Sequence, residues 1–200
     1  MNNIYCDMDG VLADFLSGAV IRLNEILENP PPEFEEQAAS VASILGRCYV
    51  VKEDLEKYSD DSCREARDFM YEALQDDVEF WANLPWMPGG RELWEHISQF
   101  NPRILTSPMD KRGRLGSLEG KRLWLERNGL LPNIRELIFE HNKFEHALDE
   151  NGEPNILIDD FMAKIGPWRE AGGIGIHHPD ADAPLAIAAL EELRNAPRPA

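Results

Sequence analysis

Short apolar runs alternate with longer amphipathic segments along most of this chain. Five of these runs have the length of strands, and they cover residues 3–6, 103–105, 137–139, 155–158 and 174–176. Helices are predicted between or after them, over residues 90–99, 117–128, 161–171 and 184–194. Strands that alternate with helices are typical of a parallel sheet covered on both faces. The pattern therefore predicts an α/β fold, with a Rossmann-like three-layer core around a mostly parallel sheet.

The region after the first strand lacks this alternation. A helix is predicted over residues 14–28, and a run of three prolines ends it. Residues 33–82 are rich in acids and helix formers and show no βαβ pattern. Candidate helices in this region cover residues 33–46, 52–58 and 61–76. We therefore expect a small helical cap, residues 16–88, inserted after the first strand of a core formed by residues 1–15 and 89–196.

Length and composition fit a single globular protein of this kind. Two hundred residues suit one core with a modest insertion. No apolar run reaches roughly 18 residues, and no basic segment precedes the first strand, so neither a transmembrane helix nor a signal peptide is expected. Cys6, Cys48 and Cys63 are odd in number and irregularly spaced, which favours reduced thiols and a cytoplasmic location.

The charge of the chain limits the partners that it can bind. The formal net charge is −17, whereas proteins that bind long nucleic acids concentrate Lys and Arg on one face. The same charge disfavours a phosphatase that acts on nucleic-acid ends. A small anionic substrate remains compatible with it, provided that a metal ion and a few cations define a local positive site.

Two acids follow the first strand directly. Asp7 and Asp9 stand two residues apart, and Gly10 comes next. In open α/β sheets, ligands bind at the carboxyl edge of the strands, where this segment is predicted to lie. The two carboxylates repel each other, so a cation or a proton is expected nearby, and this favours an Mg²⁺ site over a structural one. The alternative is an ordinary acidic turn, since Asp and Gly are common in loops.

Polar residues also follow two other predicted strands. Thr106 and Ser107 come after the second strand, where hydroxyl and backbone N–H groups can cradle phosphate oxygens, although Thr-Ser-Pro is also a common turn. Asp159 and Asp160 end the strand at 155–158. One of these two acids could serve as a helix N-cap, but two acids at the same edge as Asp7 favour metal binding.

A cation is needed to neutralise phosphate charge at this edge. Lys143 follows the strand at 137–139 and is the favoured candidate. Lys111, which follows the Thr-Ser-Pro turn, could also reach a phosphate. Lys121 is predicted to lie on the solvated face of a helix.

The order of these motifs resembles that of the haloacid dehalogenase-like phosphohydrolases. It runs Asp-x-Asp, then Thr/Ser, then Lys, then Asp-Asp, across residues 4–160. The stretch Asp-Met-Asp-Gly-Val-Leu-Ala-Asp-Phe at 7–15 is similar to the 5′(3′)-deoxyribonucleotidase family. The segments Thr106-Ser107-Pro108 and Ile158-Asp159-Asp160, and the approach from Phe80-Trp81 to Pro88-Gly89, are also similar. The resemblance is strong for the core and weak for residues 30–78.

This resemblance implies a role for each acid. Asp7 would attack phosphorus and form an aspartyl-phosphate. Asp9 would protonate the leaving oxygen and then activate water, while its backbone carbonyl binds Mg²⁺. Asp7 and Asp160 would supply the metal carboxylates, and Asp159 would assist them or orient Lys143.

The resemblance also implies the substrate contacts. Thr106, Ser107 and Lys143 would hold the phosphoryl oxygens. Phe15 matches an aromatic position that the family uses against its substrate, a deoxynucleoside monophosphate. Tyr49, Phe80, Trp81 and Trp86 could stack on a base as well, but packing between cap and core explains most such residues.

Several alternatives remain open from the sequence. The substrate could be another small phosphate ester such as a sugar phosphate, or the chain could be a catalytically silent nucleotide-binding module. The presence of all four acids argues against a silent module. The adjacent histidines His177 and His178 suggest either a metal-binding pair or, as we favour, a loop.

Overall fold

The computed structural model describes residues 2–56, 61–110, 115–179 and 181–195. Its strands form one sheet in which every neighbouring pair is parallel. They are β1 (Ile4–Cys6), β2 (Arg103–Thr106), β3 (Glu136–Phe139), β4 (Ile156–Asp159) and β5 (Ile174–His177). Their spatial order is β3-β2-β1-β4-β5. The predicted α/β fold with a parallel sheet is confirmed.

Helices account for most of the remaining described residues. They are α1 (Phe15–Glu28), α2 (Glu35–Leu45), α3 (Lys52–Glu56), α4 (Asp61–Leu74), α5 (Val78–Ala82), α6 (Gly90–Ile97), α7 (Gly116–Arg127), α8 (Met162–Glu170) and α9 (Ala183–Asn195). Short 3₁₀ turns cover Pro32–Phe34, Ser98–Phe100, Leu131–Asn133 and Lys143–His146. Among the described residues, no helix combines the length and the apolarity needed to cross a membrane.

The central strands are apolar because both of their faces are covered. Every residue of β1 and of β4 is buried, which explains why these strands are continuous apolar runs rather than alternating ones. Tyr5, Leu157 and Trp168 belong to the hydrophobic cluster on one face of the sheet. The indole N–H of Trp168 donates to the Asn155 carbonyl at 3.3 Å, so this large side chain is buried with its polar atom paired. The sheet is therefore a rigid base for the loops at its carboxyl edge.

The chain divides into two compact units. Unit 1 consists of Met1–Asp14, Pro85–Pro108 and Asn128–Ala200, and it contains the sheet. Unit 2 consists of Phe15–Leu84 and Met109–Arg127. The predicted core boundaries include the helix at 117–128, whereas the structure groups α7 with the helices of unit 2. The division into a core, residues 1–15 and 89–196, and a cap, residues 16–88, stays a prediction.

Unit 2 is held together around α5 and α7. A Cβ at Gly120 in α7 would overlap the side chain of Trp81, so the glycine allows α5 to approach closely. The adjacent Lys121 is completely buried, and its Nζ lies 5.1 Å from the centre of the Trp81 ring. The prediction of a solvated Lys121 is therefore wrong. The helix pattern of α7 did not reveal which of its faces meets α5.

Candidate active site

The strand order reverses beside β1, so the ends of β1 and β4 meet at a reversal point on the carboxyl edge of the sheet. The chain continues from β1 to β2 and β3 on one side, then returns to β4 and β5 on the other. Asp7 follows β1 and Asp159 ends β4. The Asp7 N–H donates to the Ile158 carbonyl at 2.9 Å, which keeps the two strand ends in register. Open α/β sheets bind ligands at such reversal points, outside the carboxyl ends of their strands.

Lys143 joins the two strand ends through its ammonium group. Its Nζ lies 2.8 Å from Asp7 Oδ2 and 2.7 Å from Asp159 Oδ2, and only 1% of the Lys143 side chain is exposed. The other oxygen of each acid is also held. Asp7 Oδ1 accepts the Met8 N–H at 2.7 Å, and Asp159 Oδ1 accepts the Phe161 N–H at 2.8 Å. Both carboxylates are therefore fixed in orientation.

Burial and mutual repulsion change the acidity of these groups. Burial raises the pKa of Asp160 to about 7, and the charges of Asp7 and Asp159 add to this effect. Burial and Asp7 raise the pKa of Asp159 to about 6, against the opposing influence of Lys143. Burial alone would lower the pKa of Lys143, but Asp7 and Asp159 reverse this, and the pKa is raised. The site thus concentrates more negative charge than one ammonium neutralises.

The arrangement of the acids fits a divalent cation. Carboxylate oxygens of Asp7, Asp159 and Asp160 lie within 4.8 Å of one another. Hard oxygen donors in this number suit Mg²⁺, which needs one or two protein carboxylates and keeps several waters. Gly10 has a φ of +75°, and a Cβ at this position would overlap Asp160 Oδ2. The glycine therefore leaves room for the third carboxylate to approach the other two.

Asp9 lies on a tight turn directly after Asp7. The N–H groups of Leu12 and Ala13 both donate to the Met8 carbonyl at 2.8 Å, and the Gly10 N–H donates to the Ala13 carbonyl at 2.9 Å. Asp9 is half-buried on this turn, two residues after Asp7, and its charge adds to the raised pKa of Asp160. The structure thus brings Asp7, Asp159 and Asp160 together and places Asp9 on the turn that follows Asp7.

The two predicted hydroxyl residues lie at the same edge of the sheet. Thr106 is completely buried at the end of β2, and its carbonyl accepts the Glu140 N–H at 3.1 Å. The Ser107 hydroxyl donates to the Glu140 carbonyl at 3.2 Å. These bonds tie the ends of β2 and β3 together. Cys6, which precedes Asp7, is buried, and burial raises the pKa of its thiol well above its usual value, as in an unreactive core residue.

Phe15 begins α1 in unit 2 and is packed against other aromatic rings. Its ring stacks on Trp81 with centroids 5.1 Å apart and an interplanar angle of 12°, and Phe80 meets it edge-on at 6.1 Å. In unit 1, the Trp86 indole N–H donates to Asn128 Oδ1 at 2.8 Å. These contacts give each ring a packing role, and the substrate role of Phe15 stays a prediction. Lys111 lies outside the described residues.

The adjacent histidines at the end of β5 contact the backbone of the acids. His177 Nε2 lies 3.0 Å from the Asp160 carbonyl oxygen, and the His178 N–H donates to the Asp159 carbonyl at 2.9 Å. The residue pattern favours a plain loop here, whereas His177 ends β5 and pairs with Asp159 of β4. The residues carry no signal for the strand order, so the pattern does not indicate that β5 lies next to β4.

Solved structures of haloacid dehalogenase-like hydrolases share this fold. The L-2-haloacid dehalogenase from Xanthobacter autotrophicus is 14% identical, with a TM-score of 0.52 over 98% of this chain and 84% of that one. A dehalogenase solved with an intermediate complex is 14% identical, with a TM-score of 0.51 over 96% of each chain. A haloacid dehalogenase-superfamily hydrolase from Geobacter sulfurreducens is 14% identical, with a TM-score of 0.50 over 88% and 86%. Neither a family model nor a curated protein sequence matches the chain. The comparisons therefore show the fold.

Proposed function

We propose that this chain, which has the fold of haloacid dehalogenase-like hydrolases, is a Mg²⁺-dependent phosphomonoester hydrolase. The observation that carries the proposal is the Lys143 ammonium between Asp7 and Asp159, with Asp160 completing a cluster of three carboxylates. The proposed nucleophile, a buried cation and a set of oxygen ligands thereby lie together at one edge of the sheet. Phosphoryl transfer needs these three elements, because its transition state spreads negative charge over several oxygens.

Asp7 is the proposed nucleophile. The Met8 N–H and Lys143 fix its carboxylate, so little reorientation is needed before attack. A bond forms between a carboxylate oxygen of Asp7 and phosphorus, and the bond from phosphorus to the leaving oxygen breaks. Water then attacks the phosphorus of the aspartyl-phosphate, which releases inorganic phosphate and restores the carboxylate.

Asp9 is the proposed acid and base. It gives its proton to the leaving oxygen in the first step and takes a proton from the attacking water in the second. Mg²⁺, held by Asp7, Asp160 and the carbonyl of Asp9, would neutralise phosphoryl charge when bound. Lys143 would bind the remaining phosphoryl oxygens, and the sequence predicts that Thr106 and Ser107 bind them as well. Asp159 already engages Lys143 and the Phe161 N–H, which suits it to orient the lysine.

Dehalogenation is the second candidate, because two of the similar structures are dehalogenases. A halide leaves as a stable anion and needs no proton, whereas the alkoxide that leaves a phosphate ester does. Asp9, on the turn that follows Asp7, would supply such a proton. The carboxylate cluster suits a substrate such as a phosphate ester, whose negative charge needs a metal ion to neutralise it. Both features favour a phosphate ester.

The proposed substrate is a deoxynucleoside monophosphate, which makes the chain a 5′(3′)-deoxyribonucleotidase. The support is the resemblance of residues 7–15, 106–108 and 158–160 to that family. A sugar phosphate is the alternative substrate, and a catalytically silent nucleotide-binding module is the alternative function.

A release assay with a panel of substrates tests these proposals. Inorganic phosphate is measured with Mg²⁺ or with EDTA, over deoxynucleoside and ribonucleoside monophosphates and sugar phosphates, and halide is measured from 2-haloacids. We expect phosphate release that is abolished by EDTA, restored by excess Mg²⁺ and poorly supported by Ca²⁺. Halide release alone would replace the phosphatase with a dehalogenase. Nucleotide binding without turnover would indicate the silent module, and faster turnover of ribonucleotides or sugar phosphates would overturn only the substrate.

A further inference from the structure

The ring of His177 contacts the residue that completes the carboxylate cluster. Because β5 pairs with β4, His177 lies opposite Asp159, at the carboxyl edge of the sheet. From there its Nε2 reaches the carbonyl oxygen of Asp160 at 3.0 Å, in a partly buried position. A carbonyl oxygen can only accept, so Nε2 carries the proton of this bond.

The hydrogen bonds of α8 leave the Asp160 carbonyl outside the helix. The N–H groups of Lys164 and Ile165 both donate to the carbonyl of Phe161, at 2.8 and 3.2 Å. The peptide that follows Asp160 is therefore the transition between β4 and α8, where the helix does not determine the backbone orientation. The bond from His177 supplies a constraint at this point.

The carboxylate of the same residue is confined by Gly10. Asp160 Oδ2 lies so close to Gly10 that a Cβ there would overlap it. The next residue along the chain is also fixed, because the Phe161 N–H donates to Asp159 Oδ1. Asp160 is thus bounded by Gly10 at its carboxylate and by His177 at its carbonyl.

We propose that His177 is a positioning residue that holds Asp160 in the geometry required for binding the divalent cation. The inference rests on the proposed metal-dependent function, and it assigns no catalytic step to the histidine. Residues that hydrogen-bond to metal ligands orient those ligands, and their loss typically weakens metal affinity by about 10- to 100-fold. His177 acts here through the backbone of the ligand residue.

The test measures metal binding directly, on the full chain without substrate. Mn²⁺ is titrated at fixed pH, and the free ion is followed by electron paramagnetic resonance, so that turnover is not required. His177→Phe removes the N–H donor, and we expect Mn²⁺ affinity to fall by about 10-fold or more. His96→Phe is the matched control, because His96 Nε2 makes a bond of the same 3.0 Å length to Glu191 elsewhere in unit 1. Its Mn²⁺ affinity should equal that of the wild type.

A second pair of variants preserves the test if His177→Phe fails to fold. The amide nitrogen of His177→Gln can occupy the place of Nε2, whereas the shorter side chain of His177→Asn cannot reach it. We expect His177→Gln to keep most of the Mn²⁺ affinity and His177→Asn to lose it.

Two results would overturn the inference, and they are distinguishable. If the wild type binds Mn²⁺ and the His177 variants bind it equally well, His177 has no positioning role, while the proposed function stands. If the wild type binds neither Mn²⁺ nor Mg²⁺, both the inference and the metal-dependent function fail.

Discussion

At the scale of single residues, Asp7 has two roles in the proposed site. It is the nucleophile, and it is also one of the two anions that keep the Lys143 ammonium in place. Asp7→Asn preserves the shape of the side chain and removes its charge. Phosphate release should fall by several orders of magnitude, as expected when a covalent nucleophile is lost. The matched control is Asp182→Asn, an exposed acid of the same unit, which should keep wild-type activity. Substantial turnover by purified Asp7→Asn protein would contradict the assignment.

Lys143 is the residue on which the charge balance of the site depends. Lys143→Met keeps much of the side-chain volume but leaves Asp7 and Asp159 without their shared cation. We expect kcat/KM for phosphate release to fall by on the order of 10²-fold or more, since a contact with developing charge is lost. Lys52→Met, in an exposed position of α3, is the control and should be silent. Equal activity of the two variants would show that the third motif had been misplaced.

The two lysines also show which residues the sequence can predict. Lys143 follows a predicted strand, and the carboxyl ends of parallel strands share one edge, so the alternation predicts that Lys143 and Asp7 lie at the same edge of the sheet. Lys121 stands within a helix, where burial depends on the partner helix. The pattern of α7 contains no signal for α5, so Lys121 was predicted to be solvated although it is buried.

At the scale of elements, the close approach of α5 and α7 depends on a glycine, Gly120, which has no side chain. A Cβ at Gly120 would overlap the Trp81 side chain and lie 2.7 Å from the Val78 carbonyl oxygen. Gly120→Ala should therefore destabilise the protein by about 3 kcal/mol, at the upper end of overpacking costs. For a chain of this size, this corresponds to a Tm that is lower by roughly 6–12 °C. Thermal unfolding followed by circular dichroism measures it.

A surface substitution in α7 is the control, because it changes this helix without changing its packing against α5. Arg122 makes exposed ion pairs with Glu119 and Glu126, and such pairs contribute at most about 1 kcal/mol. Arg122→Ala should shift the Tm much less than Gly120→Ala does. If the two shifts are equal, the close packing against Trp81 does not limit stability.

The elements themselves were largely predictable, because each carries a local signal. The five apolar runs became the five strands, and the run of prolines after α1 ends that helix. The pairing of distant elements carries no such signal. The pairing of β4 with β5, which brings His177 to Asp160, joins residues that are far from each other in their local patterns and is seen only in the folded structure.

At the scale of the whole molecule, the carboxylate cluster links stability to pH and to metal. The chain already carries a net charge of −17, and folding adds a site where several acids are buried together. Burial and two neighbouring acids raise the pKa of Asp160 to about 7, from an ordinary value of 3.8. An acid with a raised pKa binds its proton more tightly in the folded state. Its contribution to stability is therefore complete below about pH 4 and is lost as the pH rises through about 7.

The comparison of wild type with Asp160→Asn isolates this contribution, because the amide does not titrate. In EDTA, raising the pH from about 5 to 8 should lower the stability of the wild type relative to the variant by at most about 3 kcal/mol, because the loss takes place between pH 5 and the raised pKa of about 7. Excess Mg²⁺ should reverse the difference at pH 8, because the cation stabilises the ionised Asp160 and has lost a ligand in the variant. Asp182→Asn should show neither change. Thermal unfolding of the three proteins across this pH range, with and without Mg²⁺, measures all of these effects.

A difference that does not depend on pH would mean that Asp160 titrates alike in the folded and unfolded states. Its role as a buried ligand would then fail, because the burial that raises its pKa is the same burial that brings it to Asp7 and Asp159.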